Sequence, residues 1–314
     1  MTLFDKRTKR LPTRTRVHGA MVSLLFLPAA GHAETNRPHE GWYGSVFGGV
    51  GGGASQDARQ SGRAHLRGDH ALPGFKDFDL VVDGRGRARQ GRSGLLGVHI
   101  GYRFARRDSG IVPAVELEGM HVSSRQTAHL RNPLASGVAN IGSDASQAER
   151  EDPTSVVKDK FGPGEHRFSN RMHTDVRTAM LNLVLAYETG GFVEPYLGLG
   201  IGVAKLDAGR AVSYQTHPSG PIELTPDTGE KVNHFNSRNR ASDIALAWQA
   251  KAGLRARMTR HVSAFVEYRM VRTGPADFTF GSTRYAGHAP TDHWRVKHGP
   301  MRTHSGVLGV QYAL

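Results

Sequence analysis

Read alternately, the segment Thr303–Leu314 sorts into two faces. His304, Gly306, Leu308, Val310, Tyr312 and Leu314 lie on one, mostly bulky and apolar. Ser305, Val307, Gly309, Gln311 and Ala313 lie on the other, mostly small or polar. A repeat of two is the signature of a β-strand. The pattern recurs at Trp42–Gly51, Leu95–Phe104, Val112–Val122, Ala179–Glu188, Val193–Ala204, Ile244–Met258 and Val262–Val271. In the second of these strands Leu96, Val98, Ile100, Tyr102 and Phe104 oppose Gly97, His99, Gly101 and Arg103. In the fourth, Leu181, Leu183, Leu185 and Tyr187 oppose Met180, Asn182, Val184 and Ala186. The outward face of Trp42–Gly51 stays open at this level.

The connections alternate in length. Gly52–Gly94, Ser123–Thr178, Lys205–Asp243 and Arg272–Arg302 are long; Ala105–Ile111, Thr189–Phe192 and Thr259–His261 are short. An even strand number with short periplasmic turns and long external loops is the rhythm of an outer-membrane barrel. The expected fold is therefore all-β: an eight-stranded antiparallel transmembrane barrel with four long external loops and both termini in the periplasm. A soluble barrel would put Lys, Glu and Thr on its water-facing side. Here the second face is Gly, Ala and a few charges, which suits a crowded interior. A closed barrel also satisfies every backbone group in lipid.

The N-terminus supports export. Lys6, Arg7, Lys9, Arg10, Arg14 and Arg16 precede the apolar run Ala20–Ala30, and Gly31-His-Ala33 supplies small residues before Glu34. That layout predicts a signal peptide over 1–33, cleaved after Ala33, and a barrel over 34–314. The run is too short to span as a helix. The formal charge is +13; without Lys6, Arg7, Lys9, Arg10, Arg14, Arg16 and Asp5 the mature chain keeps +8. Such a charge favours anionic partners, and the leader argues against nucleic acid inside the cell. Cysteine count is 0, which excludes disulfides and thiolate metal sites.

Inward-facing positions collect Arg103, Glu116, Glu118, Lys251, Arg255, Glu267 and Arg269. Buried charges need partners, so an ion-pair network plugging the barrel is expected; a gated solute path is the alternative. Gly198-Leu-Gly-Ile-Gly202 lies within a strand and is not a phosphate loop. His166 and Ser169 are the closest His/Ser pair in sequence, but they fall within an expected loop. A lipid A deacylase barrel carries its nucleophile on the lipid-facing wall, so no catalytic, cofactor or metal residue is assigned. His65, His70, His129, His166, His217, His234, His288, His293 and His298 fall in the expected loops without zinc-site spacing. Arg85-Gly-Arg-Ala-Arg-Gln-Gly-Arg92 is read as a loop end able to pair with lipopolysaccharide phosphates. Gln147–Pro153 carries no chemistry.

Gly41-Trp-Tyr-Gly, Gly101-Tyr-Arg-Phe104, Glu194-Pro-Tyr-Leu-Gly-Leu-Gly-Ile-Gly202 and Glu267-Tyr-Arg269 together resemble the superfamily of the outer membrane protein A barrel and the opacity-type surface proteins. The resemblance spans the mature chain as pattern. It implies recognition by the barrel assembly machinery through the C-terminal strand, with Gly309, Tyr312 and Leu314 at the signal positions and Leu314 in place of the usual Phe. It also implies outer-membrane lipids, lipopolysaccharide and surface or host ligands as partners. The expected role is structural or interactional, in adhesion or envelope integrity and without enzymatic activity. A narrow porin-like channel and a barrel enzyme acting on lipid A are the alternatives.

Overall fold

The computed structural model describes residues 40–66, 78–133, 138–139, 165–217 and 220–314; residues 1–33, His70 and Gln147–Pro153 lie outside them. Its strands are β1 (Gly41–Gly53), β2 (Gln56–Leu66), β3 (Phe78–Arg103), β4 (Ile111–Pro133), β5 (Val138–Ala139) and β6 (Glu165–Tyr187). There follow β7 (Val193–Thr216), β8 (Ala241–Arg257), β9 (Val262–Thr273), β10 (Ala276–Thr279), β11 (Arg295–His298) and β12 (Arg302–Ala313).

Eight of these close into an antiparallel ring. The order β3–β4–β6–β7–β8–β9–β12 is sealed by β1, which pairs with both β12 and β3. The ring contains all eight segments expected from the alternation. Its lipid-facing belt is the apolar face: Leu96, Leu117, Leu183, Leu199, Ile244, Val266 and Leu308 are all exposed. In β1 the outward residues are Trp42, Val46 and Val50, while Tyr43, Ser45 and Phe47 point in. Trp42, Phe104, Tyr187, Phe192 and Tyr312 form an exposed aromatic girdle at the short-turn end, the amphipathic collar of a membrane interface.

The long connections depart from expectation. Among the described residues, much of their length is strand and builds a second storey. β3, β4, β6 and β7 run on past the belt, and β2, β11 and β10 extend the sheet from β3. The segment 233–240 closes this storey. It accepts from Ala211 N–H through Asn239 C=O, and from Gly281 N–H through Arg238 C=O.

The physical reason is a reversal of polarity along single strands. In β6 the same outward side carries Leu181, Leu183 and Leu185 within the belt but Arg167, Arg171 and Arg177 beyond it. The inward side changes from Asn182 to Phe168 and Met172. Beyond the belt the solvent is water, so the sheet is turned apolar-in. Phe168, Phe235, Phe278, Phe280 and Trp294 are fully buried there, with Phe235 stacked on Phe280 at 4.4 Å.

Buried imidazoles make this storey acid-sensitive. Burial holds His298 and His166 down to about 4, below the roughly 6.5 of an unfolded histidine. As pH falls from 6.5 towards 4 the unfolded chain takes up protons that the folded chain refuses, so stability is lost over that window. His288 works the other way: burial lowers it, but its hydrogen bond to Glu223, that carboxylate's charge and the Ala289 carbonyl together outweigh this and raise it. The urea midpoint followed by Trp294 fluorescence should be lower at pH 5 than at pH 7. His298→Gln should shrink that difference; an unchanged gap would mean His298 is not the sensor.

Candidate functional site

Inside the belt, glycines make the room and aromatic rings take it. A Cβ on Gly97 would lie 2.3 Å from Phe47 Cζ, and one on Gly309 2.2 Å from Phe265 Cζ. Neither ring can retreat across so narrow a barrel. Gly97→Val should cost about 1–3 kcal/mol by overpacking, read as a lower urea midpoint of the folded barrel.

The expected ion-pair network is present. Arg103 clasps Glu194 through two bonds of 2.8 and 2.5 Å, and Arg255 reaches the same carboxylate at 3.0 Å. Lys251 bonds Glu116 and lies 3.5 Å from Glu118. Arg269 donates to Glu118 at 2.6 Å and to Glu267 at 2.7 Å. Tyr43 and Tyr196 hydroxyls donate to Glu116 and Glu267 at 2.8 and 3.0 Å. Four carboxylates thus face four cations, all buried. Among the described residues only His99, Glu116 and Glu118 bring three metal-type ligand atoms within 4.8 Å of one another. Lys251 and Arg269 already neutralise those carboxylates, so the group needs no metal ion.

The outer storey carries a different chemistry on its exterior. Lys297, Arg59, Arg85, Arg131 and Arg167 are direct cross-strand partners in one row across β11, β2, β3, β4 and β6. Asp83 bridges Arg59 and Arg85 at 2.5 and 2.8 Å, and Glu165 lies 3.5 Å from both Arg131 and Arg167. The two guanidinium groups outweigh the burial of Asp83 and hold its carboxyl below the usual range. Nearer the belt stand Arg89, Arg92, Arg125, Arg171 and Arg177, for which the described residues offer no ion pair. Their row partners are neutral or basic: Arg89 and Arg171 flank Thr127, and Arg125 faces His173.

Arg85–Arg92 is therefore not a loop end but part of β3, with Arg85, Arg87 and Arg89 exposed. His166 and Ser169 lie on one strand with opposite facings: His166 is buried inside, Ser169 sits on the outward side, and the two are not brought together. Of the histidines, His166, His234 and His298 are buried, whereas His65 and His129 are exposed on strands. Arg85, Arg87 and Arg89 alternate with Gly86 and Ala88. That period of two was the signal for a strand beyond the belt.

No family profile and no curated protein matches the chain by sequence. Solved structures match it by shape. The outer membrane protease OmpT from Escherichia coli aligns at 9% identity and a TM-score of 0.41, covering 86% of this chain and 97% of that one. OprG from Pseudomonas aeruginosa aligns at 13% and 0.36, covering 88% and 98%, and Neisserial surface protein A at 10% and 0.32, covering 87% and 97%. With its sealed eight-strand ring, outward apolar belt and aromatic girdle, this chain folds as an eight-stranded antiparallel transmembrane β-barrel.

Proposed function

We propose that this chain is a surface protein of the outer membrane with an interactional, envelope-stabilising role. Its outer storey holds phosphate-bearing glycolipid at the cell surface. The single observation behind this reading is the cationic exterior of β3, β4 and β6. Asp83 and Glu165 balance only part of this wall; Arg89, Arg92, Arg125, Arg171 and Arg177 have no ion pair among the described residues, and Arg177 lies directly opposite Lys205, a like-charge pairing that is costly for the fold alone. Guanidinium forks match phosphate groups. In this reading the short-turn end and both termini face the periplasm, the leader is removed after Ala33, and β12 presents the signal read by the assembly machinery.

The filled interior supports a barrel that does not conduct. Reconstituted protein should give no conductance steps in planar bilayers; reproducible steps would favour the channel reading. Vesicles containing lipopolysaccharide should bind the refolded protein in a salt-sensitive way. Arg89→Ser with Arg171→Ser should weaken that binding by about 30-fold, taking ~1 kcal/mol per cation lost near an anionic surface. Unchanged binding would remove the reading.

A further inference from the structure

We propose that Glu223, His234 and His288 form a binding site for a divalent cation of the Zn²⁺ class in the outer storey. The three residues come from separate connections: Glu223 from the stretch after β7, His234 from the closing segment 233–240, and His288 from the stretch between β10 and β11. His234 Nε2 lies 3.0 Å from Glu223 Oε2, and His288 Nε2 lies 3.1 Å from Glu223 Oε1. The first pair is misaligned for a hydrogen bond, and neither of its atoms has another partner. The His234 side chain is only 4% exposed, so it is shielded from bulk water. Buried polar atoms left unpaired are costly for a fold. Two ligands about 2.1 Å from one ion, at tetrahedral or octahedral angles, stand roughly 3.0–3.4 Å from each other. The two unpaired atoms have that spacing.

The hydrogen bonds behind each imidazole present the right nitrogen. Trp294 Nε1 donates to Thr283 Oγ1 at 2.9 Å, and that hydroxyl donates to the His234 carbonyl at 3.2 Å. Its remaining lone pair faces His234 Nδ1 at 3.1 Å. The proton of a neutral His234 therefore sits on Nδ1, and the lone pair of Nε2 is turned to Glu223. His288 Nδ1 meets the Ala289 carbonyl at 2.6 Å, an atom that can only accept, so His288 is held in the same tautomer when neutral. Metal-ligating histidines are oriented in this way, by an oxygen that takes the proton of the other ring nitrogen. The backbone is held too. The N–H groups of Glu223 and His234 donate to the Gln215 and Ser213 carbonyls of β7 at 2.9 and 3.0 Å.

Charge and donor type decide the class of ion. Glu116 and Glu118 in the barrel are neutralised by Lys251 and Arg269, whereas among the described residues the ion-pair partners of Glu223 are His234 and His288 alone. A carboxylate between neutral imidazoles keeps its negative charge for a cation. Two imidazoles and one carboxylate suit Zn²⁺, while Ca²⁺ and Mg²⁺ take oxygen ligands. The three ligand atoms are not all within 4.8 Å of one another, because each imidazole stands at its own carboxylate oxygen. Binding therefore displaces the proton between His288 and Glu223 and draws the imidazoles together. The His288 and Glu223 side chains, 10% and 17% exposed, give the ion its way in. Once bound it ties three connections to one point, in a chain with no cysteine to cross-link them.

The test titrates the folded full chain in detergent with ZnCl₂ and, separately, with CaCl₂ by calorimetry. One Zn²⁺ should bind per chain. The urea midpoint read by Trp294 fluorescence should rise with Zn²⁺, because an ion that binds only the folded protein stabilises it. Ca²⁺ should do neither. Glu223→Gln and His234→Gln should each remove the binding and the rise. Thr283→Val, which deletes the oxygen behind His234, should weaken Zn²⁺ binding by about 10–100-fold. His173→Gln, on the exposed barrel wall, should leave it unchanged. An unboiled-gel mobility shift shows that each variant is folded. Where His234→Gln does not fold, His288→Gln, nearer the surface, takes its place and should weaken binding more than Thr283→Val does. The proposal is overturned by absence of Zn²⁺ binding, by binding that survives Glu223→Gln and His288→Gln, or by equal binding of Ca²⁺.

Discussion

Glu118→Ala should destabilise the folded barrel by about 3–5 kcal/mol, the range for removing one partner of a buried ion pair. Glu118 takes Arg269 at 2.6 Å, Gln249 at 3.0 Å and Lys251 at 3.5 Å. Its loss leaves three carboxylates against four cations where water cannot enter. Arg269 keeps Glu267 and Gln249 keeps Asn182, but one N–H of each loses its acceptor. Removing opposite charges together should cost less, because neutrality returns. Glu118→Gln with Arg269→Gln should therefore unfold at a urea concentration above that of Glu118→Ala. If the single variant unfolds with wild type, the network is not what holds the plug.

Leu183→Arg should cost about 2–4 kcal/mol and impair assembly, the penalty for a guanidinium at mid-bilayer on the lipid face. Leu183 is 54% exposed in the middle of the belt. Its own strand supplies the control, since Arg171 lies on the same outward side 12 positions earlier. The fate of an arginine on β6 is thus set by height, not by strand or side. Arg171→Leu should leave assembly intact. The measurement is the fraction of unboiled protein that migrates as folded barrel on a detergent gel. Normal folding of Leu183→Arg would place the lipid boundary elsewhere.

The membrane ring was legible because lipid imposes one rule on every strand it touches. Leu96 to Phe104 and Leu197 to Val203 alternate without a break, and each inward charge in that band has a partner in the structure. The outer storey was not legible by the same rule. Its strands alternate too, as Arg85, Arg87 and Arg89 do, but with charge outward. A search for outward apolar residues passes over them and reads long loops. The 23 residues of β6 contain both patterns, and they change over between Arg177 and Ala179.

By itself the sequence determined the eight membrane strands, the inward and outward faces of all but the first, and the set of charges that fill the barrel. Each follows from a period of two that neighbouring residues carry locally. Only the tertiary structure decided which cations share a row across five strands, and that Ser123 on β4 meets His173 on β6. Those contacts join residues far apart in the chain through register, and register is fixed by the closure of the whole sheet.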